Sequence, residues 1–284
     1  NGASMNNQGV EFTVSFKSDP SSEFQWAVSA NIGTYKTELT DLPSNVINKY
    51  AGDGVHDLIL GRSPNSAYGL VADGIFKTQE EVDAHADQPG KAVGRIRYKD
   101  LDGDGVINET YDRTWIGCYD PDFFGGLNFD FAYKGFDLNL FFEGMFGNDV
   151  NSDWKKESDI WLFTNPAWKN HATRMLGGWS PDNPNSDIPA ISNNTANQEQ
   201  RFSSWFIEDG SYIKLRNIEL GYTFPTKLIK KMHMSNLRLY AAAYNVFTLK
   251  KFWGDDKYTS FDPERPSYHY LTPFTFNFGI NVSF

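Results

Sequence analysis

The sequence has almost no cysteine. Cys118 stands alone in 284 residues, which rules out an internal disulfide and a thiolate metal cage. Long apolar runs are missing too: no stretch reaches the roughly 18 residues that a spanning helix requires. Positive charge is scarce, and the formal net charge is −10. The one basic cluster, Lys227, Lys230 and Lys231, suffices only for a turn facing solvent or headgroups, so nucleic acid is not an expected partner. Catalytic signatures are equally sparse. His56, His85, His171, His233 and His269 are scattered without metal-ligand spacing. No Gly-x-Ser-x-Gly elbow occurs, and Cys118 has no partner motif. Glu208 and Asp209 are neighbours on a strand and point to opposite faces, which gives no glycosidase dyad. An enzyme is therefore not expected. No signal peptide opens the chain, so it is expected to be either soluble or a piece of something longer.

Aromatic residues, by contrast, abound: 23 Phe, 14 Tyr and 8 Trp, in a chain whose mean hydropathy is −0.51. Both facts hold together when apolar and polar side chains alternate, as on a transmembrane β-barrel. The alternation is cleanest at the end of the chain. There Phe274, Phe276, Phe278, Ile280, Val282 and Phe284 are separated by Thr275, Asn277, Gly279, Asn281 and Ser283. A period of two marks a strand with one apolar and one polar face, and its length matches the 9–11 residues with which a tilted strand crosses a bilayer. Residues 8–18, 24–33, 127–133, 136–142 and 237–243 repeat the pattern. Over 204–224 the phase slips. Ile213 and Leu215 keep one parity while Ile218, Leu220, Tyr222 and Phe224 keep the other, so a bulge near Arg216-Asn217 is expected.

The connections alternate in length. Ser18-Asp19-Pro20-Ser21-Ser22 and Lys134-Gly135 close tight hairpins, and 225–235 reads as a basic turn with one helical turn. Residues 35–123 form a long irregular stretch with one extended piece at 66–76. Residues 147–203 form another, with short helices at 155–163 and 167–176, and 250–272 a third of medium length. Outer-membrane barrels alternate short periplasmic turns with long extracellular loops in this way. Seven strands result, an odd number below the eight of the smallest bacterial barrels, and lipid does not tolerate an open sheet edge. The expectation is an all-β fold: the C-terminal seven or so antiparallel strands of a larger transmembrane barrel, with residues 1–284 forming one portion of it.

Several stretches carry a family resemblance. They are Asn6-Asn7-Gln8-Gly9-Val10-Glu11; Tyr98-Lys99-Asp100-Leu101-Asp102-Gly103-Asp104-Gly105-Val106-Ile107 followed by Asp112-Arg113-Thr114; Tyr133-Lys134-Gly135-Phe136-Asp137-Leu138; Trp179-Ser180-Pro181-Asp182-Asn183-Pro184; Ile207-Glu208-Asp209-Gly210-Ser211-Tyr212-Ile213-Lys214-Leu215-Arg216-Asn217; and Asn245-Val246-Phe247-Thr248. In this order, along essentially the whole chain, they resemble the SusC/RagA-type TonB-dependent outer-membrane transporters of Bacteroidota. The resemblance implies a 22-stranded barrel of which this chain is about the last third, with plug, TonB-contacting segment and first strands elsewhere. It also implies import of oligosaccharides or peptides, together with a SusD-like surface lipoprotein, in the outer membrane. Phe284, with Phe276 and Phe278 before it, resembles the aromatic C-terminal signal read by the barrel-assembly machinery.

Three sets of residues carry candidate chemistry. Asp100, Asp102 and Asp104, with Gly105 at the sixth position, are the first half of a calcium loop. The twelfth position is Tyr111 rather than Glu, so Asp112 would close the set, with the Val106 carbonyl and Asn108 beside it; the same turn without an ion is the alternative. Trp154, Trp161, Trp168, Trp179, Trp253, Tyr258, Tyr268 and Tyr270 could stack on sugar rings, or could pack the loops on one another or on a lid protein. Asn128, Asp130, Asp137, Asn139, Glu143, Arg238, Tyr240 and Tyr244 would line the lumen. Trp26, Tyr133, Tyr222 and Phe284 fit interfacial girdles facing lipid. The competing readings are a soluble, calcium-dependent, carbohydrate-binding β-sandwich and an outer-membrane adhesin or porin without TonB coupling.

Overall fold

A computed structural model of the chain describes residues 2–43, 58–160, 171–192, 196, 198–250, 259–266 and 270–284. In chain order its strands are β1 (Ser4–Lys17), β2 (Phe24–Asp41), β3 (Ser66–Leu70), β4 (Ala72–Ile75), β5 (Ile96–Tyr98), β6 (Arg113–Cys118), β7 (Phe123–Tyr133), β8 (Phe136–Phe146), β9 (Asp149–Asn151), β10 (Ile207–Asp209), β11 (Tyr212–Thr223), β12 (Asn236–Lys250) and β13 (Thr275–Ser283). Seven of them make one sheet, in the order β1-β2-β7-β8-β11-β12-β13, and every pair is antiparallel. These are the seven strands that the alternation predicts. Neighbours in the sheet are also successive among the long strands, so the sheet is an up-and-down meander with β1 and β13 at its two edges.

Turn chemistry fixes the register of the hairpins. Lys134 and Gly135 both have positive φ, 48° and 88°, the backbone of the tight turn whose twist matches that of paired strands. Tyr133 accordingly faces Phe136 across the hairpin. In the β1–β2 turn the Asp19 carboxylate accepts the Ser21 N–H at 2.8 Å and the Ser21 hydroxyl at 2.7 Å, which folds the backbone locally. The expected bulge is present. The ladders of β11 with β8 and with β12 both shift between Leu215 and Asn217. Leu215 pairs with Phe142 and Ile218 with Leu140. One extra residue therefore returns Ile213, Leu215, Ile218 and Leu220 to a single face.

Among the described residues, no second sheet covers the apolar face of the seven-stranded sheet. Phe12, Phe16, Ile32, Phe136, Leu220, Leu239, Phe276 and Phe278 stand exposed on its apolar face. The larger buried apolar cluster is in the long connections: Leu70, Ile75, Ile96, Tyr98, Ile107, Ile160 and Phe206, with Trp179 and Trp205 packed against it; a smaller one, Leu39, Leu42 and Ile59, forms where β2 runs into its connection. All three long connections leave the sheet at the same end, and the short turns lie at the other.

The connections are more ordered than expected. β2 continues eight residues past Gly33, to Asp41, paired with β1 throughout. Residues 34–41 mix Thr, Tyr and Leu with charged side chains, so the strand rises past the alternating zone without the signal that marks it. The extended piece at 66–76 is two short strands, pairing separately with β6 and β5. Of the helices expected at 155–163 and 167–176, the first begins at Asp153 and continues as a π-turn over Lys156–Ile160, and the second is a 3-10 turn, Thr173–Gly177; residues 161–170 lie outside the described part. The basic turn holds one helical turn, Thr226–Ile229.

Candidate functional site

The polar face of the sheet brings the sequence-predicted lumen residues together. Asn139 Nδ2 donates to Asn128 Oδ1 at 3.0 Å and to Asp130 Oδ1 at 2.7 Å, and Asn128 Nδ2 donates to Asp130 Oδ2 at 2.6 Å. Asn217, next to the bulge, extends the network by donating to Asn139 Oδ1 at 3.0 Å. Nearer the short turns, Arg238 donates from Nε to Asp137 at 3.0 Å and from Nη2 to Asp137 and, at 2.7 Å, to Glu219. Its guanidinium lies 5.1 Å from the Tyr240 ring centre. Tyr240 in turn lies over Gly279, where a β-carbon would come within 2.1 Å of the ring; the glycine is there because the ring occupies its side-chain space. Tyr244 pairs with Asn217 and Thr275 on the same face.

Towards the long loops the polar face becomes an ion cluster that sequence reading missed. Arg216, the bulge residue, meets Glu143 through two hydrogen bonds, 2.8 and 3.2 Å, and also pairs with Glu264. Buried Lys214 donates to Asp262 at 2.7 Å and to Glu264, and the Tyr212 hydroxyl donates to Glu264 at 3.0 Å. Burial alone would raise the Glu264 carboxyl, but the hydrogen bonds and charges of Arg216 and Lys214 outweigh it and hold the group at about 2. The cluster ties residues 260–265 to the wall of β11. Strand periodicity gave no sign of it, because the partners are about fifty residues apart. A second hidden pair, Arg95 and Glu199, is buried among the loops at 2.7 Å. Burial pushes the Glu199 carboxyl up and the Arg95 guanidinium down.

The acidic loop closes differently from the expected ligand order. Carboxylate oxygens of Asp100, Asp102 and Asp112 lie within 4.8 Å of one another. Asp104 turns away, and its Oδ1 accepts the Val106 N–H at 2.7 Å. Asn108 is likewise engaged, its Oδ1 accepting the N–H groups of Thr110 and Tyr111. Asp112 is 0% exposed and accepts from Leu101 N at 2.8 Å and Asn108 N at 2.7 Å. Asp100 accepts from Gly103 N and Gly105 N, and both glycines have positive φ, 76° and 84°, which is why glycine recurs at alternate positions here. Three hard oxygen donors suit calcium.

The loop aromatics fall into three groups. Trp154 packs edge-on to Phe261 at 4.6 Å, and Trp179 packs on the loop core. Tyr270 is 78% exposed. Trp161, Trp168, Trp253, Tyr258 and Tyr268 lie outside the described residues. Trp26 and Tyr133 stand exposed near the short turns, and Phe284 near the chain end.

No family profile matches the chain. Individual proteins do. TonB-dependent receptor P3 of Formosa agariphila is 30% identical over 298 residues, covering 99% of this chain and 29% of the receptor. SusC of Bacteroides thetaiotaomicron, also a TonB-dependent receptor, is 26% identical over 294 residues, covering 99% of this chain and 26% of SusC. Among solved structures, that of the RagAB peptide transporter superposes over 100% of this chain and 30% of that one, with a TM-score of 0.75 at 22% identity. The chain is a SusC/RagA-like barrel segment. It spans about three tenths of the length of the curated relatives it matches. The SusC/RagA-like sheet is thus part of an outer-membrane β-barrel, and the relatives it matches are receptors and transporters rather than enzymes.

Proposed function

We propose that this SusC/RagA-like segment is about the last third of the wall of a TonB-dependent importer of nutrients, oligosaccharide or peptide. The rest of the protein would supply the plug, the first strands and the contact with TonB, and a SusD-like lipoprotein would sit on the loops. One observation carries the reading: a match to such a receptor along 99% of this chain coincides with a seven-stranded meander whose two faces differ in kind. The apolar face suits lipid. The opposite face, with its Asn, Asp, Glu and Arg network, suits a hydrated passage in which polar groups satisfy one another until a solute arrives. A soluble sandwich would need a second sheet over the apolar face, and the described residues provide none.

Deleting the gene for the full-length receptor, with growth measured on oligosaccharide and on peptide as sole carbon source, tests the proposal. Loss of growth on one of them, restored by the intact receptor and only in cells with active TonB, is expected. Unchanged growth on both, with a protein extractable without detergent, would end it.

We also infer that the acidic loop takes a calcium ion through Asp100, Asp102 and Asp112. Support comes from three carboxylates gathered at the end of the barrel that bears the long loops, where like charges repel unless a cation is shared. Calorimetric titration of the receptor with Ca²⁺ and Mg²⁺ should give Ca²⁺-selective heat, lost in Asp102→Asn. Equal heats in the two proteins would leave the turn held by its backbone donors alone.

A further inference from the structure

The apolar face is not uniformly ridged. Across β2, β7, β8 and β11, near the end bearing the long loops, it carries a recess of about 540 Å³. Gly125 and Gly144 face each other in the ladder and form its floor, with Ile32 and Ile213 next to them on the flanking strands. Phe123 and Phe146, stacked at 4.8 Å, form the wall towards the loops. Leu127 and Phe142 form the opposite wall, and Phe129 buttresses Phe142 edge-on at 6.1 Å. The groove crosses four strands, three spacings of about 4.8 Å each. The glycines create it in two ways. A β-carbon on Gly125 would come within 2.4 Å of the Asn31 carbonyl oxygen, so the close approach of β2 excludes any side chain there. A β-carbon on Gly144 would come within 3.0 Å of the Phe146 ring and point into the recess.

We propose that this groove holds a fatty acyl chain of an outer-membrane lipid. The inference rests on the barrel reading given above. The recess is continuous with the apolar face that reading turns to the bilayer. It offers no hydrogen-bonding side chain, because Asn31 and Glu143, which touch it through their strands, direct their side chains to the other face. A protein partner would have to leave any polar group placed there without a hydrogen bond, whereas a hydrocarbon chain has none to lose. The recess is also of the size and apolar character of small-molecule sites, which a flat lipid-facing wall is not.

Photocrosslinking of the full-length receptor tests this in nanodiscs whose phospholipid carries a diazirine near the end of one acyl chain, with adducts mapped by mass spectrometry. Leu127, Phe142, Phe146 and Ile213 should be labelled several-fold more, per residue, than Leu220, Leu239 and Phe278 on the same face. Gly144→Leu, which fills the floor, should bring the groove down to the level of those controls while the barrel keeps its heat-modifiable mobility on gels. Should that variant fail to fold, Leu127→Trp narrows the same recess from its wall and is expected to act alike. Even labelling of groove and controls overturns the site and leaves the barrel reading standing. Labelling of neither overturns the barrel reading itself. Crosslinks from groove residues to a second copy of the receptor would show another barrel seated there, and that result also overturns the lipid site.

Discussion

Arg216 departs from the β11 ladder and meets Glu143 of β8 in a two-pronged ion pair, at 2.8 and 3.2 Å. The bulge that restores the strand's alternation is thus also the point where the wall gains a fixed positive charge. Arg216→Met keeps the length of the side chain and removes the charge. It should lower the unfolding free energy of the receptor in detergent by about 1–2 kcal/mol, less than a fully buried pair would lose because both groups keep some solvent contact. A double-mutant cycle with Glu143→Gln measures the coupling; additive losses would mean that the pair contributes nothing as a pair.

The two faces of the last strand can be compared directly. Phe278 is 79% exposed on the apolar face, and Asn277 lies beside it on the polar one. Phe278→Arg should cost about 2–4 kcal/mol, the penalty for arginine at the bilayer midplane, and Asn277→Arg much less. Unfolding in lipid vesicles reads both. Equal costs would mean that the strand has no lipid side.

The latch made by Glu264 is acid-sensitive in a defined direction. Its carboxyl is held at about 2 against an ordinary 4.5, so its contribution is complete above 4.5 and is lost as pH falls towards 2. Guanidinium unfolding of wild-type receptor and Glu264→Gln should therefore differ most at neutral pH. The gap should begin to close below pH 4.5 and be nearly gone at about 2. A gap independent of pH would show that the glutamate acts through packing and not through charge.

Asp112 anchors the acidic loop from within. Its two oxygens accept the N–H groups of Leu101 and Asn108, and no part of it reaches solvent. Asp112→Ala strands both donors and should lower the local opening free energy of the loop by about 2–3 kcal/mol. Hydrogen exchange at the Leu101 and Asn108 amides should quicken accordingly, with the sheet amides unchanged; unaltered protection would show that the turn stands without Asp112.

Much of this architecture was legible in the order of residues. Alternation places the seven strands, Lys134-Gly135 and Ser18–Ser22 place two of the turns, and the parity slip at Arg216-Asn217 places the bulge. Each of these signals is local: a period of two, or a backbone angle that glycine and a few others accept. The limits of β2 were not legible, because beyond Gly33 neither face is consistently apolar. Nor was the departure of Asp104 from the carboxylate cluster, since Asx turns and metal loops use the same residues at the same spacing.

Tertiary structure decided what depends on chain-distant neighbours. Arg95 meets Glu199, and Lys214 meets Asp262 and Glu264, only because the loops fold over one end of the sheet. Gly125 and Gly144, unremarkable in their own strands, become the floor of a groove once the register sets them opposite each other. The sequence by itself determined which residues alternate and where the chain turns, since sterics and solvent act on each residue locally. Which charges pair and where the wall is hollow followed from strand register and loop packing, which no single segment encodes.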